Sequence, residues 1–174
     1  MKARNARARL MGWMLAFTVL VIGGAAWAAA LPMPKEKPIL TVAGMIGITN
    51  KGNTAEFDRE MLEGLGMVSF ETTTPWFQGK VKFEGVPLRK LMETVDAKGT
   101  RIVAVALNDY SAELPMSDAQ AYNVILALKR DGEYMPIRDK GPLFIVYPFD
   151  SDTELKSQKY YSRSVWQVAR IEIK

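Results

Sequence analysis

From Leu10 to Ala30 the chain reads LMGWMLAFTVLVIGGAAWAAA, without one charged side chain, behind a start that carries Lys2, Arg4, Arg7 and Arg9 and no acid. A stretch that apolar has no polar face to show water, so it cannot form a surface element of a soluble domain. The basic start, the apolar middle and the small-residue exit Ala26-Trp27-Ala28 have the layout of a secretory leader, cut after Ala28 or Ala30. About 20 apolar residues also suffice to cross a bilayer, so an uncleaved membrane anchor is the alternative. Arg7 and Arg9 are separated by Ala8, which leaves no twin-arginine pair. Export is then expected through the general secretory route, unfolded, into the periplasm, with any ligand acquired there. Folding falls to the rest of the chain.

That rest divides simply. Leu31 to Pro38 (LPMPKEKP) holds three prolines and reads as an extended spacer. Residues 39–174 show no repeat and no second linker, and suit one domain with its own core. Of 23 basic and 19 acidic residues, the leader takes four basic ones, leaving 19 against 19. A balanced domain gives no support to nucleic-acid binding. The chain has no Cys and no His. Disulfides, thiolate nucleophiles, iron–sulfur ligation, Ser-His-Asp triads and imidazole bases are thereby excluded. A histidine pH switch is excluded with them.

Apolar periodicity predicts mostly strands: Ile39–Ala43, Met67–Thr73, Val81–Phe83, Arg101–Leu107, Tyr110–Leu114, Val124–Lys129, Met135–Ile137, Leu143–Tyr147 and Ser164–Ile173. Arg130-Asp131-Gly132-Glu133 reads as a hairpin turn. Two helices are predicted. One is capped by Thr54 and runs through Leu65, and one is opened by Gly85-Val86-Pro87 with Leu88, Leu91, Met92 and Val95 as its buried stripe. Ser117 caps a further short turn, and Asp150–Arg163 is a long polar connection of the kind that often carries function. The expected class is α+β, a mainly-β single domain with a few short helices.

Four segments, Phe83–Met92 (FEGVPLRKLM), Asn108–Pro115 (NDYSAELP), Asp131–Pro148 (DGEYMPIRDKGPLFIVYP) and Tyr161–Ile173 (YSRSVWQVARIEI), resemble in order and spacing the molybdopterin-binding domain of the sulfite oxidase superfamily. Enzymes of that superfamily hold molybdenum through one cysteine, in a stretch resembling Glu-Cys with an aromatic four residues on. Here the stretch is Glu71-Thr72-Thr73-Thr74-Pro75-Trp76, with Thr72 in the thiolate's place. An alcohol is a poor substitute for a soft thiolate. The missing cysteine and the missing twin-arginine pair both argue against a molybdenum oxidoreductase, which stays the runner-up.

The resemblance implies instead a small cysteine-less periplasmic pterin-binding subgroup, which reports a reduced pterin to the periplasmic domain of a membrane-bound GGDEF/EAL enzyme controlling cyclic di-GMP. A third reading is a periplasmic adaptor that binds nothing small. A pterin is a flat bicycle with a donor–acceptor edge and needs an aromatic face and fixed polar groups. Candidates for the plane are Trp76, in the Thr-rich loop, and Trp166, each with core packing as the competing role. Arg163 takes the place of the superfamily's cofactor-contacting basic residue, with Ser164 beside it; a solvated arginine is the bland alternative. Asp109 and Tyr110 sit at a turn where Asp also serves the backbone alone. Asp150 and Asp152 suit side-chain hydroxyls, a cation or plain solvation. Thr72 completes the set, with no catalytic and no metal-binding residue expected. Gly141, in Arg138-Asp139-Lys140-Gly141, is expected to supply an unusual backbone angle.

Overall fold

The computed structural model describes residues 30–174, so the leader read over residues 1–30 lies, but for Ala30, outside the described residues. In chain order the elements are β1 (Leu40–Gly44), β2 (Ala55–Phe57), α1 (Arg59–Gly64), β3 (Val68–Thr74), β4 (Phe77–Pro87), α2 (Leu88–Thr94), β5 (Arg101–Ala106) and β6 (Ser111–Pro115). There follow α3 (Met116–Ala121), β7 (Ile125–Arg130), β8 (Glu133–Tyr134), β9 (Phe144–Val146), α4 (Gln158–Arg163) and β10 (Val168–Ile173). Among the described residues no helix is long and apolar enough to cross a membrane.

The strands form two sheets, one in the order β2-β1-β10-β5-β6, the other β3-β4-β7-β8 with β9 on β7. Among the described residues only β1 and β10 pair in parallel, so the first and last strands of the described residues close the first sheet at its centre. Leu40, Val42, Ile102, Ala104, Ile171 and Ile173 alternate inward from that sheet and are fully buried. Ile125 to Leu128 of β7 are all buried, as are Phe144 to Val146 of β9, which marks the centre of the second sheet. The chain is an α+β, mainly-β single domain.

The structure departs from the expected elements at several places. The first helix begins at Arg59, capped by Asp58 and not by Thr54, because Ala55–Phe57 pairs with Leu40–Val42 as β2. β4 starts at Phe77, well before Val81, since β3 and β4 form one long hairpin whose polar end extends beyond the core. The pairing shifts at Gly85, where any side chain would collide with the carbonyl of Leu126. Asp150–Arg163 contains α4, and only Val168 onward is the last strand. In the bend the left-handed φ, 67°, is at Lys140. Gly141 precedes a cis peptide bond to Pro142 and lies where a side chain would collide with the Met135 carbonyl.

The proline-rich segment is not a free spacer. The Lys35 and Glu36 amides donate to Asp58 Oδ2 at 2.7 and 3.1 Å, and Asn50 Nδ2 donates to the Pro32 carbonyl at 2.7 Å. Asp58 Oδ1 meanwhile accepts from the Met61 amide, so one buried carboxylate both caps α1 and holds this segment on the domain. These backbone N–H bonds hold the Asp58 carboxyl below its ordinary value, Met61 contributing most.

Candidate functional site

The turn between β3 and β4 places Trp76 against the second sheet. Its indole lies edge-on to Phe144 at 5.4 Å, Trp166 at 5.6 Å, Tyr161 at 6.0 Å and Phe149 at 6.2 Å. Trp76 therefore packs on the core with part of its surface and lines a cleft with the rest. Trp166 bridges to Phe144 through its backbone and is 38% exposed, too open for a core residue.

The cleft between these tryptophans, the β5–β6 turn and α4 measures about 440 Å³, within the small-molecule range. Trp76, Tyr110, Tyr161 and Trp166 are its aromatic walls, and Asn108, Gln158, Ser162 and Ser164 its polar groups. Among the described residues no charged side chain lines it. Asn108 Oδ1 accepts the Tyr110 amide at 3.2 Å, leaving its amide nitrogen to donate. Ser164 Oγ donates to the Tyr160 carbonyl at 3.0 Å, leaving its lone pairs to accept.

Of the residues singled out in the sequence, the cleft brings together Trp76, Tyr110, Ser164 and Trp166. It does not take in the other five. Arg163 points away: its guanidinium meets Asp118 Oδ2 at 2.7 Å, and the Tyr147 hydroxyl donates to the same oxygen at 2.7 Å. The buried Asp118 carboxylate holds the arginine on the hidden side of α4, which corrects its assignment to the ligand edge. Burial, then the bond to Asp118, drives the Tyr147 phenol far above its ordinary value and keeps it a donor. Asp109 has φ 63° and donates its amide to Ala106, so it serves the turn.

Thr72 and Asp150 form a closed corner. Thr72 is fully buried; its hydroxyl accepts the Asp150 amide at 3.0 Å and donates to the Thr73 carbonyl at 3.3 Å. Asp150 accepts from the Thr73 hydroxyl at 2.6 Å and the Thr73 amide at 2.8 Å, and pairs with Lys156 at 2.7 Å. Lys156 first, then the two Thr73 bonds, hold its carboxyl far below the usual carboxylate range. Asp152 caps the turn at Thr153–Leu155 through the Glu154 amide. Each of these groups has a structural task.

Asn108, Gln158, Tyr161 and Ser162 were not singled out as site residues. Gln158, Tyr161 and Ser162 come from one face of α4, whose polar sequence disguises a helix; the Tyr160-Tyr161 doublet in a polar connection was the available signal. Among the described residues no group of His, Cys, Asp and Glu converges to hold a metal ion.

Two sheets with short helices in one domain agree with the α+β fold of a molybdopterin-binding domain. The family model described as the oxidoreductase molybdopterin binding domain matches residues 48–163, and the chain belongs to that family. No curated protein matches the chain. The residues present fit the two parts of the family's cofactor differently. Thr72, which the resemblance puts at the metal-ligand position, carries a hydroxyl that is buried and bonded on both sides, and its chemistry does not fit a molybdenum centre. The aromatic cleft fits a flat bicycle.

Proposed function

We propose that this chain is a non-catalytic periplasmic pterin-binding protein that reports a reduced pterin to the periplasmic domain of a membrane-bound GGDEF/EAL protein. The observation that carries the reading is the uncharged cleft framed by Trp76 and Trp166, beside a metal-ligand position closed by Thr72 and Asp150. One indole takes a face of the bicycle and the other, at 71° to it, meets its edge; a stacked ring contributes about 1 to 3 kcal/mol. The Asn108 and Gln158 amides meet its alternating donors and acceptors, and Ser162 and Ser164 take hydroxyls of a side chain. A wall without cations suits a neutral, hydroxylated pterin better than a phosphorylated one, which needs Arg or Lys. The membership in an oxidoreductase family keeps one competitor, a molybdopterin-dependent enzyme.

The test uses the full chain expressed in a native periplasm, purified and then denatured. Pterin fluorescence and mass are read on the released material, and molybdenum on the same sample. Pterin without molybdenum supports the proposal. Molybdenum near one atom per chain overturns it in favour of the enzyme. Neither species, with no rise in melting temperature on adding reduced pterins, leaves a ligand-free adaptor.

A further inference from the structure

Lys140 is a lysine in an expensive place. Its φ of 67° belongs to the left-handed region, which Gly or Asn occupies at less cost. The conformation is locked by the Gln167 amide, which donates to the Lys140 carbonyl at 3.0 Å, and by Gln167 Nε2, which reaches the Ile137 carbonyl at 2.7 Å. Backbone geometry alone does not ask for a lysine here, so the side chain is the place to look.

The ammonium lies 3.8 Å from the centroid of the Trp166 ring, and 5.8 Å from those of Trp76 and Phe77. Among the described residues it enters no ion pair, and neighbouring Asp139 is held by Arg130 at 2.6 Å. Burial pulls the Lys140 ammonium below its ordinary value, as expected of a cation resting on rings. Lys140 is not part of the cleft wall, whereas Trp166 is. One face of the indole is thus covered by a cation, and what Trp166 shows the cleft is the rest of the ring.

We infer that Lys140 is a specificity-determining residue, polarising the Trp166 platform so that the cleft prefers an electron-rich, reduced bicycle to its fully oxidised form. This rests on the pterin reading above. A cation on one face draws π density toward itself, leaving the part of the ring that borders the cleft electron-poor. A tetrahydropterin stacks through its planar pyrimidinone, into which the ring amines donate, and so sits against such a ring better than the electron-poor oxidised bicycle, because stacking follows complementary charge distribution. Lys140 also holds the half-exposed indole in one orientation, which strengthens binding of any planar ligand.

The experiment titrates the exported full chain with tetrahydrobiopterin under anaerobic conditions, and separately with fully oxidised biopterin. Wild type, Lys140→Met and Lys140→Arg are compared by tryptophan quenching. The wild type is expected to favour the reduced form. Lys140→Met is expected to shrink the ratio of the two affinities by about three- to ten-fold, and Lys140→Arg to keep it. Lys140→Gln replaces the methionine variant where the latter does not fold. A Met or Gln variant that weakens both ligands equally, or neither, overturns the inference and leaves Lys140 a purely structural cation. A wild type that binds neither pterin overturns the pterin reading itself, and this inference with it.

Discussion

Trp76 and Thr72 stand four residues apart on the same hairpin, and their surroundings have gone opposite ways. Around Thr72 every polar group is used: the hydroxyl is bonded twice and the Asp150 carboxylate gathers Thr73 and Lys156. Around Trp76 the rings are close enough to order one another, yet leave a cleft with free amide and hydroxyl groups. A position that keeps no spare bonding capacity has become scaffold. One that keeps capacity, at the cost of exposing two tryptophans to water, is the surface proposed to bind a ligand. The same contrast divides α4, whose hidden side is tied to Asp118 while its other side is offered to the cleft.

Substitutions can break that contrast. The largest effect is expected for Asp118→Ala, which strands the Arg163 guanidinium and the Tyr147 hydroxyl: about 3 to 5 kcal/mol of stability lost in urea unfolding. A loss below about 1 kcal/mol would mean that α4 is held by its aromatic packing instead. Next, Trp76→Ala is expected to cost about 1 to 3 kcal/mol of pterin affinity, read by calorimetry, and unchanged affinity would remove this ring from the site. Thr72→Val should leave pterin affinity unaltered while lowering stability by about 1 to 3 kcal/mol, because the Asp150 amide loses its buried acceptor. Thr72→Cys sharpens the point, since a thiol in that closed corner should bring no molybdenum above background by elemental analysis.

The smallest effect concerns pH. The folded Asp150 carboxyl titrates below its ordinary value of 3.8, so its contribution is complete above that value and fades as pH falls below it. The stability gap between the wild type and Asp150→Asn should therefore be constant near neutrality and narrow in acid. A gap that stays constant to the lowest pH tested would show that Thr73 and Lys156 do not act through the charge.

Much of the fold was legible because the core is written in apolar runs. Arg101–Ala106, Phe144–Val146 and the Leu88-Leu91-Met92 stripe declare themselves by period and composition. β2 was not, since Ala55–Phe57 is a strand only through its pairing with β1, and Asp58 outcompetes Thr54 as a cap because it also gathers the Lys35 and Glu36 amides. The site was half legible. Trp76, Tyr110, Ser164 and Trp166 are recognisable by type and place. The fate of Arg163 depends on Asp118, 45 residues away, and no local pattern announces such a partner.

The stapled segment at Lys35 and Glu36 has a mechanical consequence. A free spacer of eight residues would act as a leash up to about 28 Å long, letting the domain tumble about its end. With Pro32, Lys35 and Glu36 all fastened to the domain, that slack is gone. Residues 32 to 36 therefore move with the fold as part of its surface, and the described chain enters the domain at a fixed place.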